Sequence, residues 1–255
     1  MNFKHIFLII INMFLLFDVD GTLTVPRNPI NNDMLNMLNN CKNAGHTLGC
    51  VSGSDLDKLV EQLGGDKNLV LNLFDYVFSE NGLVFYHKGN LIHKQSILKY
   101  LGEERYQNLI NKMLSTLSRV SLPLKRSNFI ELRNGLINLC PVGRDCSQKE
   151  REEFEEYDNQ HFIRKKIAKE LNDYDSTLKY SIGGQISIDV FPYGWDKTYC
   201  LQFINEKEEI QFYGDRIFEG GNDYEIGNHP RVKSFKVVNW KNTYELLNEL
   251  LNGWK

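Results

Sequence analysis

Two aspartates separated by a single residue directly follow a short apolar segment near the beginning of the chain. Residues 14–17 read Phe-Leu-Leu-Phe, and the segment after them is Asp18-Val19-Asp20-Gly21-Thr22. A continuous apolar run of this length is typical of a strand that is buried on both faces of a parallel sheet. Open α/β sheets bind their ligands beside the carboxyl ends of the strands. The segment therefore predicts a parallel sheet that carries Asp18 and Asp20 on its ligand-binding side.

Three chemical interpretations of these aspartates can be weighed from the residues alone. Aspartate and glycine are common in turns, but a plain turn does not explain two carboxylates at the end of a buried strand. A calcium-binding EF-hand loop needs an acid or amide followed by glycine where this chain has Thr22 and Leu23. Phosphoryl transfer fits the spacing, because one carboxylate can attack phosphorus while the other protonates the leaving oxygen. We therefore favour Asp18 as the nucleophile and Asp20 as the general acid and base.

Further oxygen ligands and one lysine fit the same chemistry. Asp215 follows another predicted strand, and a glycine-rich loop with more polar side chains comes after it. Carboxylate and amide oxygens are the ligands that Mg²⁺ prefers in proteins. Lys197 would neutralise a transferring phosphate, although a single lysine is most often a solvated surface charge. The predicted Mg²⁺ ligands are Asp18, Asp20, Asp215, Asn222 and Asp223.

The order of the predicted elements divides the chain into a core and an insertion. Strand and helix patterns alternate over residues 14–79 and return after residue 209, which is typical of a parallel sheet with crossover helices. The middle of the chain carries helix patterns and a hairpin with an Asn-Gly turn signal at Asn134 and Gly135. The fold class is therefore α/β. We expect a Rossmannoid parallel-sheet core from residues 1–87 and 193–255, with an inserted α+β cap of antiparallel sheet and helices over residues 88–192. The patterns also predict helices over 98–117 and 150–171 and a strand over 235–238.

Charge and cysteine content argue against several classes of protein. The net charge is −3, so no basic field favours binding to nucleic acid or to an anionic membrane. The five cysteines include no Cys-x-x-Cys pair, which indicates free thiols in a reducing compartment and a cytoplasmic location. The apolar run from Ile6 to Phe17 is too short to span a membrane. Because Met13 directly precedes the first strand, we expect residues 1–12 to be a dispensable extension or a wrongly assigned start.

Longer motifs, taken in order, are more specific than the aspartate pair. They are Asp18-Val19-Asp20-Gly21-Thr22, Glu80-Asn81-Gly82-Leu83-Val84, Arg133-Asn134-Gly135, Gly143-Arg144, Gly183-Gly184-Gln185-Ile186-Ser187, Gly194-Trp195-Asp196-Lys197 and Gly220-Gly221-Asn222-Asp223. With these motifs the chain resembles the haloacid dehalogenase-like phosphotransferases. Within that superfamily it resembles the eukaryotic-type phosphomannomutases, from about residue 14 to the end.

The resemblance implies a fold, a reaction and a set of site residues. The fold is the haloacid dehalogenase-like core with its cap. The family uses Mg²⁺ to interconvert mannose 6-phosphate and mannose 1-phosphate through a hexose 1,6-bisphosphate, which also acts as activator, and so supplies GDP-mannose synthesis. The implied catalytic residues are Asp18, which is phosphorylated, Asp20 and Lys197. The implied ligands of the sugar phosphate are Arg27, Ser54, Arg133, Arg144, Arg151, Ser187 and Asp189. The resemblance also implies a homodimer formed through the cap.

Three alternatives stay open at the level of sequence. A sugar-phosphate phosphatase on the same scaffold has no need of a second phosphate-binding cluster in the cap. A preference for glucose phosphate would make the protein a phosphoglucomutase with the same site. A decayed homologue that serves as a binding module would be expected to have lost some of the acidic residues or the lysine. Asp18, Asp20, Lys197 and Asp215 are all present, which argues against the last alternative.

Overall fold

The computed structural model describes residues 12–26 and 28–253. The expected N-terminal extension therefore lies outside the described residues, apart from Asn12, and so does Arg27. The chain divides into two compact units: the first ends at Lys94 and resumes at Asp196, and the second is Gln95–Trp195. The expected boundaries of the insertion at 88 and 192 therefore move to 95 and 195. The first shift arises because residues 90–94 form a strand of the sheet in the first unit.

The described residues form the following strands and helices, each kind numbered in chain order. The strands are β1 (Phe14–Phe17), β2 (Thr47–Val51), β3 (Tyr76–Ser79), β4 (Val84–His87), β5 (Asn90–Lys94), β6 (Ile130–Leu132), β7 (Ile137–Leu139), β8 (Leu178–Gly183), β9 (Ser187–Pro192), β10 (Ile210–Gly214) and β11 (Val232–Lys236). The α-helices are α1 (Asn32–Asn43), α2 (Leu56–Gln62), α3 (Lys67–Leu73), α4 (Ile97–Leu101), α5 (Glu103–Arg119), α6 (Gln148–His161), α7 (Ile163–Tyr174), α8 (Tyr224–Gly227) and α9 (Trp240–Asn252). A 3₁₀ segment covers Lys197–Phe203.

The first unit is built on a seven-stranded sheet with the order β11-β10-β1-β2-β3-β4-β5. The strands from β11 to β3 are parallel, and β4 and β5 add antiparallel pairs at one edge. Alternate residues of β1 pack on opposite faces: Leu15 and Phe17 join one buried cluster, and Phe14 and Leu16 join the other. Residues of α1, α3 and α9 contribute to the first cluster, and residues of α8 and the 3₁₀ segment to the second. This double cover explains why the strand is apolar throughout.

The second unit contains a four-stranded antiparallel sheet with the order β6-β7-β9-β8. Its strands alternate between buried apolar and more polar residues, as a sheet covered on one face should. Leu139 and Ile188 are paired across β7 and β9 and fully buried, as are Ile137 and Val190. Helix α7 packs along β8 and β9. The α/β fold class with a separate antiparallel sheet, as expected from the sequence, is confirmed.

Both long helices predicted in the middle of the chain are broken in the structure. The predicted helix over 150–171 is two helices, because Phe162 takes a left-handed conformation with φ of 55° between α6 and α7. The predicted helix over 98–117 is divided into α4 and α5 at Gly102, which has φ of 72°. The last predicted strand, 235–238, begins three residues earlier and ends two residues earlier, as β11, where Val232–Lys236 pairs with Ile210–Gly214.

The sequence predicts free thiols and an apolar run too short to span a membrane. All five cysteines are buried and carry free thiols. No helix of the described part is long and apolar enough to cross a membrane.

Candidate active site

Asp18 and Asp215 lie side by side because the strands that precede them are neighbours. The pair β1 and β10 is parallel, and the backbone N–H of Asp18 donates to the carbonyl of Tyr213 at 2.9 Å. Gly21 has φ of 85°, and a Cβ there would lie 2.5 Å from Oδ2 of Asp215. Only glycine meets both conditions without strain. The tight turn after Asp18 is thus packed directly against Asp215.

A buried lysine links Asp18 to Asp223. The carboxylate of Asp196 caps the 3₁₀ segment and so places Lys197 at its first residue. The Nζ atom of Lys197 donates to Oδ1 of Asp18 and, at 2.5 Å, to Oδ1 of Asp223. Lys197 is 1% exposed and Asp223 is fully buried. A lysine this deeply buried is retained as a charge only beside carboxylates, so the surface interpretation of Lys197 does not apply.

Burial dominates the electrostatics of this group. Desolvation raises the pKa of Asp18 to about 7; the charge of Lys197 opposes this shift and that of Asp223 adds to it. Burial alone would lower the pKa of Lys197, but the two carboxylates outweigh it and the pKa is raised. Burial and then the charge of Asp223 also raise the pKa of Asp215. A further cation at this place would therefore stabilise the ionised carboxylates.

Three carboxylates together fit a divalent cation. Oxygen atoms of Asp18, Asp215 and Asp223 all lie within 4.8 Å of one another. Oδ2 of Asp18 and Oδ1 of Asp215 are buried and have no hydrogen-bond partner in the described part of the chain. Buried carboxylate oxygens of this kind are costly unless a cation meets them, and an all-oxygen set suits Mg²⁺. Of the other two predicted ligands, Asp20 is not a member of this cluster, and Asn222 is exposed.

Asp20 has a different partner, which the sequence did not single out. The side-chain amide of Gln62, at the end of α2, donates to Oδ1 of Asp20 at 2.6 Å. Gln62 is only 4% exposed. A neutral amide can orient a carboxylate through a hydrogen bond without adding a charge beside it. The available signal was the position of Gln62, three residues after the buried Leu59 on the inward side of a helix.

Ser54 follows β2, the other neighbour of β1. Because β1 and β2 are parallel, the loop after β2 begins at the same side of the sheet as Asp18. The N–H of Ser54 donates to Oγ of Ser52 at 3.1 Å, and its carbonyl accepts from the N–H of Glu80 at 2.8 Å. Both bonds involve the backbone of Ser54 and fix the loop. Binding of the substrate by the Ser54 hydroxyl stays a prediction.

In the second unit, a row of polar residues crosses all four strands. Glu131 of β6 is paired with Asn138 of β7, which is paired with Asp189 of β9, which is paired with Ser181 of β8. Directly paired residues share one face of a sheet. The row therefore marks the face opposite to the one covered by α7. The register of the predicted hairpin was the signal that could have identified Glu131 and Asn138.

Two predicted arginines are attached to this row. Arg144 donates through Nη1 to Oδ1 of Asn138 at 2.7 Å and lies 3.0 Å through Nε from Oε2 of Glu131. Arg133 donates through Nη2 to the same oxygen of Glu131 at 2.8 Å. Asn138 in turn donates to Oδ1 of Asp189 at 2.6 Å. One carboxylate oxygen is thus shared by two guanidinium groups, which shows that an anionic oxygen fits between them.

The other predicted ligands of this unit support the same region. Arg151, in the first turn of α6, donates through Nη2 to the backbone carbonyl of Arg144 at 3.0 Å. Ser187 lies two residues before Asp189 on β9 and therefore on the same face. Its hydroxyl donates to the carbonyl of Gly183 at 3.1 Å. The structure thus brings four of the predicted substrate ligands, Arg133, Arg144, Ser187 and Asp189, to one sheet, and Arg151 bonds the backbone of Arg144.

Comparison with known proteins identifies relatives that match most of the chain. The sequence model of the family described as eukaryotic phosphomannomutase matches residues 34–253. A protein named phosphomannomutase 2 from Dictyostelium discoideum is 50% identical over 243 residues, which cover 93% of this chain and 96% of the relative. A protein named phosphomannomutase from Drosophila melanogaster is 48% identical over 244 residues, or 94% and 95% of the two chains.

Solved structures with low sequence identity share the fold. A haloacid dehalogenase-like hydrolase from Bacteroides thetaiotaomicron has a TM-score of 0.56 at 13% identity and covers 94% of this chain and all of its own. A protein from Streptococcus mutans has a TM-score of 0.62 at 16% identity, with 95% and 100% coverage. At such identities the likeness concerns the fold alone.

Proposed function

The chain belongs to the eukaryotic phosphomannomutase family, and we propose that it interconverts mannose 6-phosphate and mannose 1-phosphate through a hexose 1,6-bisphosphate. One observation carries the proposal: the chain has both a buried aspartate, Asp18, beside Lys197 and, in its second unit, a pair of arginines that share one carboxylate oxygen. A mutase needs both, because one phosphate reacts while the other is held. Arginine forks suit the phosphate that does not react. Mannose 1-phosphate made in this way would supply GDP-mannose synthesis.

In this proposal the first unit carries the covalent step. A carboxylate oxygen of Asp18 attacks the phosphorus atom, the bond from phosphorus to the sugar oxygen breaks, and Asp20 protonates that oxygen. In the return step Asp20 takes the proton of the sugar hydroxyl that attacks the aspartyl phosphate, so both residues end as they began. Gln62 holds the carboxyl group of Asp20 in place for both transfers. Lys197 supplies positive charge beside Asp18 as the phosphoryl group arrives.

A divalent cation completes the charge balance of the proposed site. When bound, Mg²⁺ neutralises charge between carboxylate and phosphate and keeps Asp18 ionised. Asp18, Asp215 and Asp223 would hold it. The proposal further includes a cytoplasmic homodimer formed through the second unit, as the family likeness implies.

The direct test is a coupled assay of the purified protein with mannose 1-phosphate, with and without a catalytic amount of hexose 1,6-bisphosphate. We expect mannose 6-phosphate as the product, and turnover that depends on the bisphosphate. Glucose 1-phosphate in a parallel assay measures the preference for the sugar. Free mannose and inorganic phosphate as the only products would contradict the mutase and favour a phosphatase.

Removal of the cation should abolish turnover. We expect dialysis against EDTA to lower kcat by at least about 100-fold, because a bound cation contributes several kcal/mol of charge stabilisation in phosphoryl transfer. Added Mg²⁺ should restore the rate. In Asp215→Asn, the Mg²⁺ concentration that gives half of the maximal rate should be higher than in wild type. Undiminished turnover after EDTA treatment, or an unchanged Mg²⁺ requirement in Asp215→Asn, would contradict the metal assignment.

Arg144 offers a test of the phosphate that does not react. We expect Arg144→Gln to lower kcat/KM for mannose 1-phosphate by about 10- to 100-fold, the usual range for a hydrogen bond to a charged group. Arg126→Gln is a matched control, since Arg126 is a surface arginine of the same unit that pairs with Glu150. The control should stay within about twofold of wild type. Equal effects of the two substitutions would argue against a phosphate site at Arg144.

A further inference from the structure

We propose that Arg164 and Asp158 form a buried positioning pair that holds the β8–β9 turn, and with it Ser187 and Asp189, in the arrangement that binds the sugar phosphate. The inference rests on the proposed function and extends it to two residues that do not themselves touch the substrate. Both side chains of this ion pair are almost fully buried, Arg164 at 5% and Asp158 at 7% exposed.

One end of the pair fixes the junction of two helices. Phe162 breaks the helix pattern between α6 and α7, and its N–H donates to the carbonyl of Asp158 at 2.7 Å. The carboxylate of Asp158 accepts from the backbone N–H of Arg164 at 2.8 Å and from its Nε at 2.7 Å. The Asp158 carboxylate thus accepts from one of the free N–H groups in the first turn of α7 and orients the guanidinium group at the same time.

The other end of the pair reaches the turn between β8 and β9. Nη1 of Arg164 lies 2.8 Å from the carbonyl oxygen of Gly184, 3.4 Å from that of Gly183 and 3.5 Å from that of Ser187. The hydroxyl of Ser187 donates to the same carbonyl of Gly183 at 3.1 Å. Arg164 therefore lies within hydrogen-bond distance of three carbonyl groups of the turn. One of these, the carbonyl of Gly183, also orients the Ser187 hydroxyl.

Close packing transmits the position of the turn to Asp189. A Cβ on Gly183 would lie 2.7 Å from Oδ2 of Asp189, so the carboxylate rests directly on the glycine backbone. Oδ1 of Asp189 accepts from Asn138, which also accepts from Arg144. A displacement of Gly183 would therefore move Asp189 and, through Asn138, would also shift Arg144, which we assign to phosphate.

A charged pair at this place is better explained by a role in positioning the β8–β9 turn than by a contribution to stability. Taking two charges out of water is costly, and well-packed apolar residues of similar volume often stabilise a protein as well or better. An apolar pair could close the α6–α7 junction, but it could not donate to three carbonyls. The feature that only the ion pair supplies is the directed hydrogen bonding to the turn.

The test compares Arg164→Lys with Arg105→Lys. Arg105 is a control in the same unit: it pairs with Asp175 and bonds Thr177, just before the start of β8, whereas Arg164 acts at the end of that strand. A lysine keeps the charge but cannot reach both the carboxylate and the carbonyls. We expect Arg164→Lys to raise KM for mannose 1-phosphate and the activation constant of the bisphosphate by about 10- to 100-fold, with a smaller effect on kcat. Amide hydrogen exchange in residues 183–187 should become faster without any ligand, and Arg105→Lys should change neither property.

Each outcome decides the inference. The inference is wrong if Arg164→Lys keeps the wild-type KM and the wild-type rate of amide exchange at residues 183–187. It is also wrong if Arg105→Lys lowers Tm and raises KM by the same amounts as Arg164→Lys. If Arg164→Lys does not fold, the double variant Arg164→Met/Asp158→Leu removes both charges and leaves no buried charge unpaired. It should fold and still show the raised KM, and a wild-type KM in it would refute the inference. Absence of mutase turnover in the wild-type protein would instead refute the proposed function, while the exchange experiment would still test the hold on the turn.

Discussion

Asp18→Asn should abolish turnover and leave the protein at least as stable as wild type. In the proposed mechanism Asp18 is the covalent nucleophile, and loss of such a group lowers kcat by about 10⁴-fold or more, because the other groups cannot replace it. The stability effect has the opposite sign. Burial and the nearby Asp223 raise the pKa of Asp18 to about 7, so its ionised form is disfavoured in the folded protein. Asparagine has nearly the same shape and carries no charge to desolvate.

The sign of the stability effect also predicts its dependence on pH. With a folded pKa above the ordinary value of 3.8, folded wild type binds more protons than the unfolded chain between about pH 4 and pH 7. Its stability relative to Asp18→Asn should therefore fall across that window and stay low above it. We expect Asp18→Asn in EDTA at pH 8 to have a Tm equal to wild type or up to about 4 °C higher. This upper limit corresponds to a gain of about 1 kcal/mol in the free energy of unfolding for a chain of this size.

Asp75→Asn is the matched control for this result. The carboxylate of Asp75 accepts from Lys42 and from the backbone N–H of Leu48, away from the candidate site. This substitution removes favourable bonds, so it should lower Tm and keep turnover within about twofold of wild type. Thermal unfolding and the coupled assay measure both properties. Residual turnover in Asp18→Asn above about 1% of wild type would contradict the assignment of the nucleophile.

The parts of the fold that follow from a short-range pattern were predictable. The apolar run of residues 14–17 and the alternation after it predict a parallel sheet, and β1 lies at the centre of one. The insertion was recognisable because the Asn-Gly turn at residues 134–135 belongs to an antiparallel hairpin, here β6 and β7. Its first boundary was not, since β5 carries exposed Leu91 and Ile92 and joins the core sheet only as an edge strand.

Helix breaks without glycine or proline were beyond the reach of periodicity. At the α6–α7 junction, Asp158 accepts hydrogen bonds from the backbone N–H and the side chain of Arg164. These two residues are six positions apart, a spacing that no helical pattern encodes. For the same reason the sequence did not single out Arg164 as a residue of interest. A pattern of apolar spacing reports which residues are buried, but not which polar group a buried arginine will meet.

The candidate site shows the same division between local and distant information. Asp18 and Asp215 could be predicted to meet, since each follows a strand of the sheet. The position of Lys197 between Asp18 and Asp223 depends on three segments far apart in the chain. Residue spacing alone leaves such a lysine indistinguishable from a surface charge. The family resemblance singled it out, and the structure adds its burial and its two carboxylate partners.

Lys197→Met should therefore cost both activity and stability. Without the ammonium group, the carboxylates of Asp18 and Asp223 face each other in a buried site with no counter-charge from the lysine. Removing one partner of a buried ion pair costs about 3–5 kcal/mol. At about 2–4 °C of Tm per kcal/mol for a chain of this length, we expect Tm to fall by roughly 6–20 °C. Turnover should fall by at least about 10³-fold, because a preorganised charge beside the transferring group is lost.

Two further variants separate the electrostatic cause from a loss of packing. Lys42→Met removes a lysine that bonds Asp75 and two backbone carbonyls but is 35% exposed, and it should cost only about 1 kcal/mol. The double variant Lys197→Met/Asp223→Asn removes the lysine together with one of the carboxylates that it neutralises. If charge is the cause, chemical denaturation should show the double variant to be more stable than Lys197→Met alone, while turnover stays lost. If the double variant is no more stable, the cost of Lys197→Met lies in packing, and the role of Lys197 as an internal counter-charge is wrong.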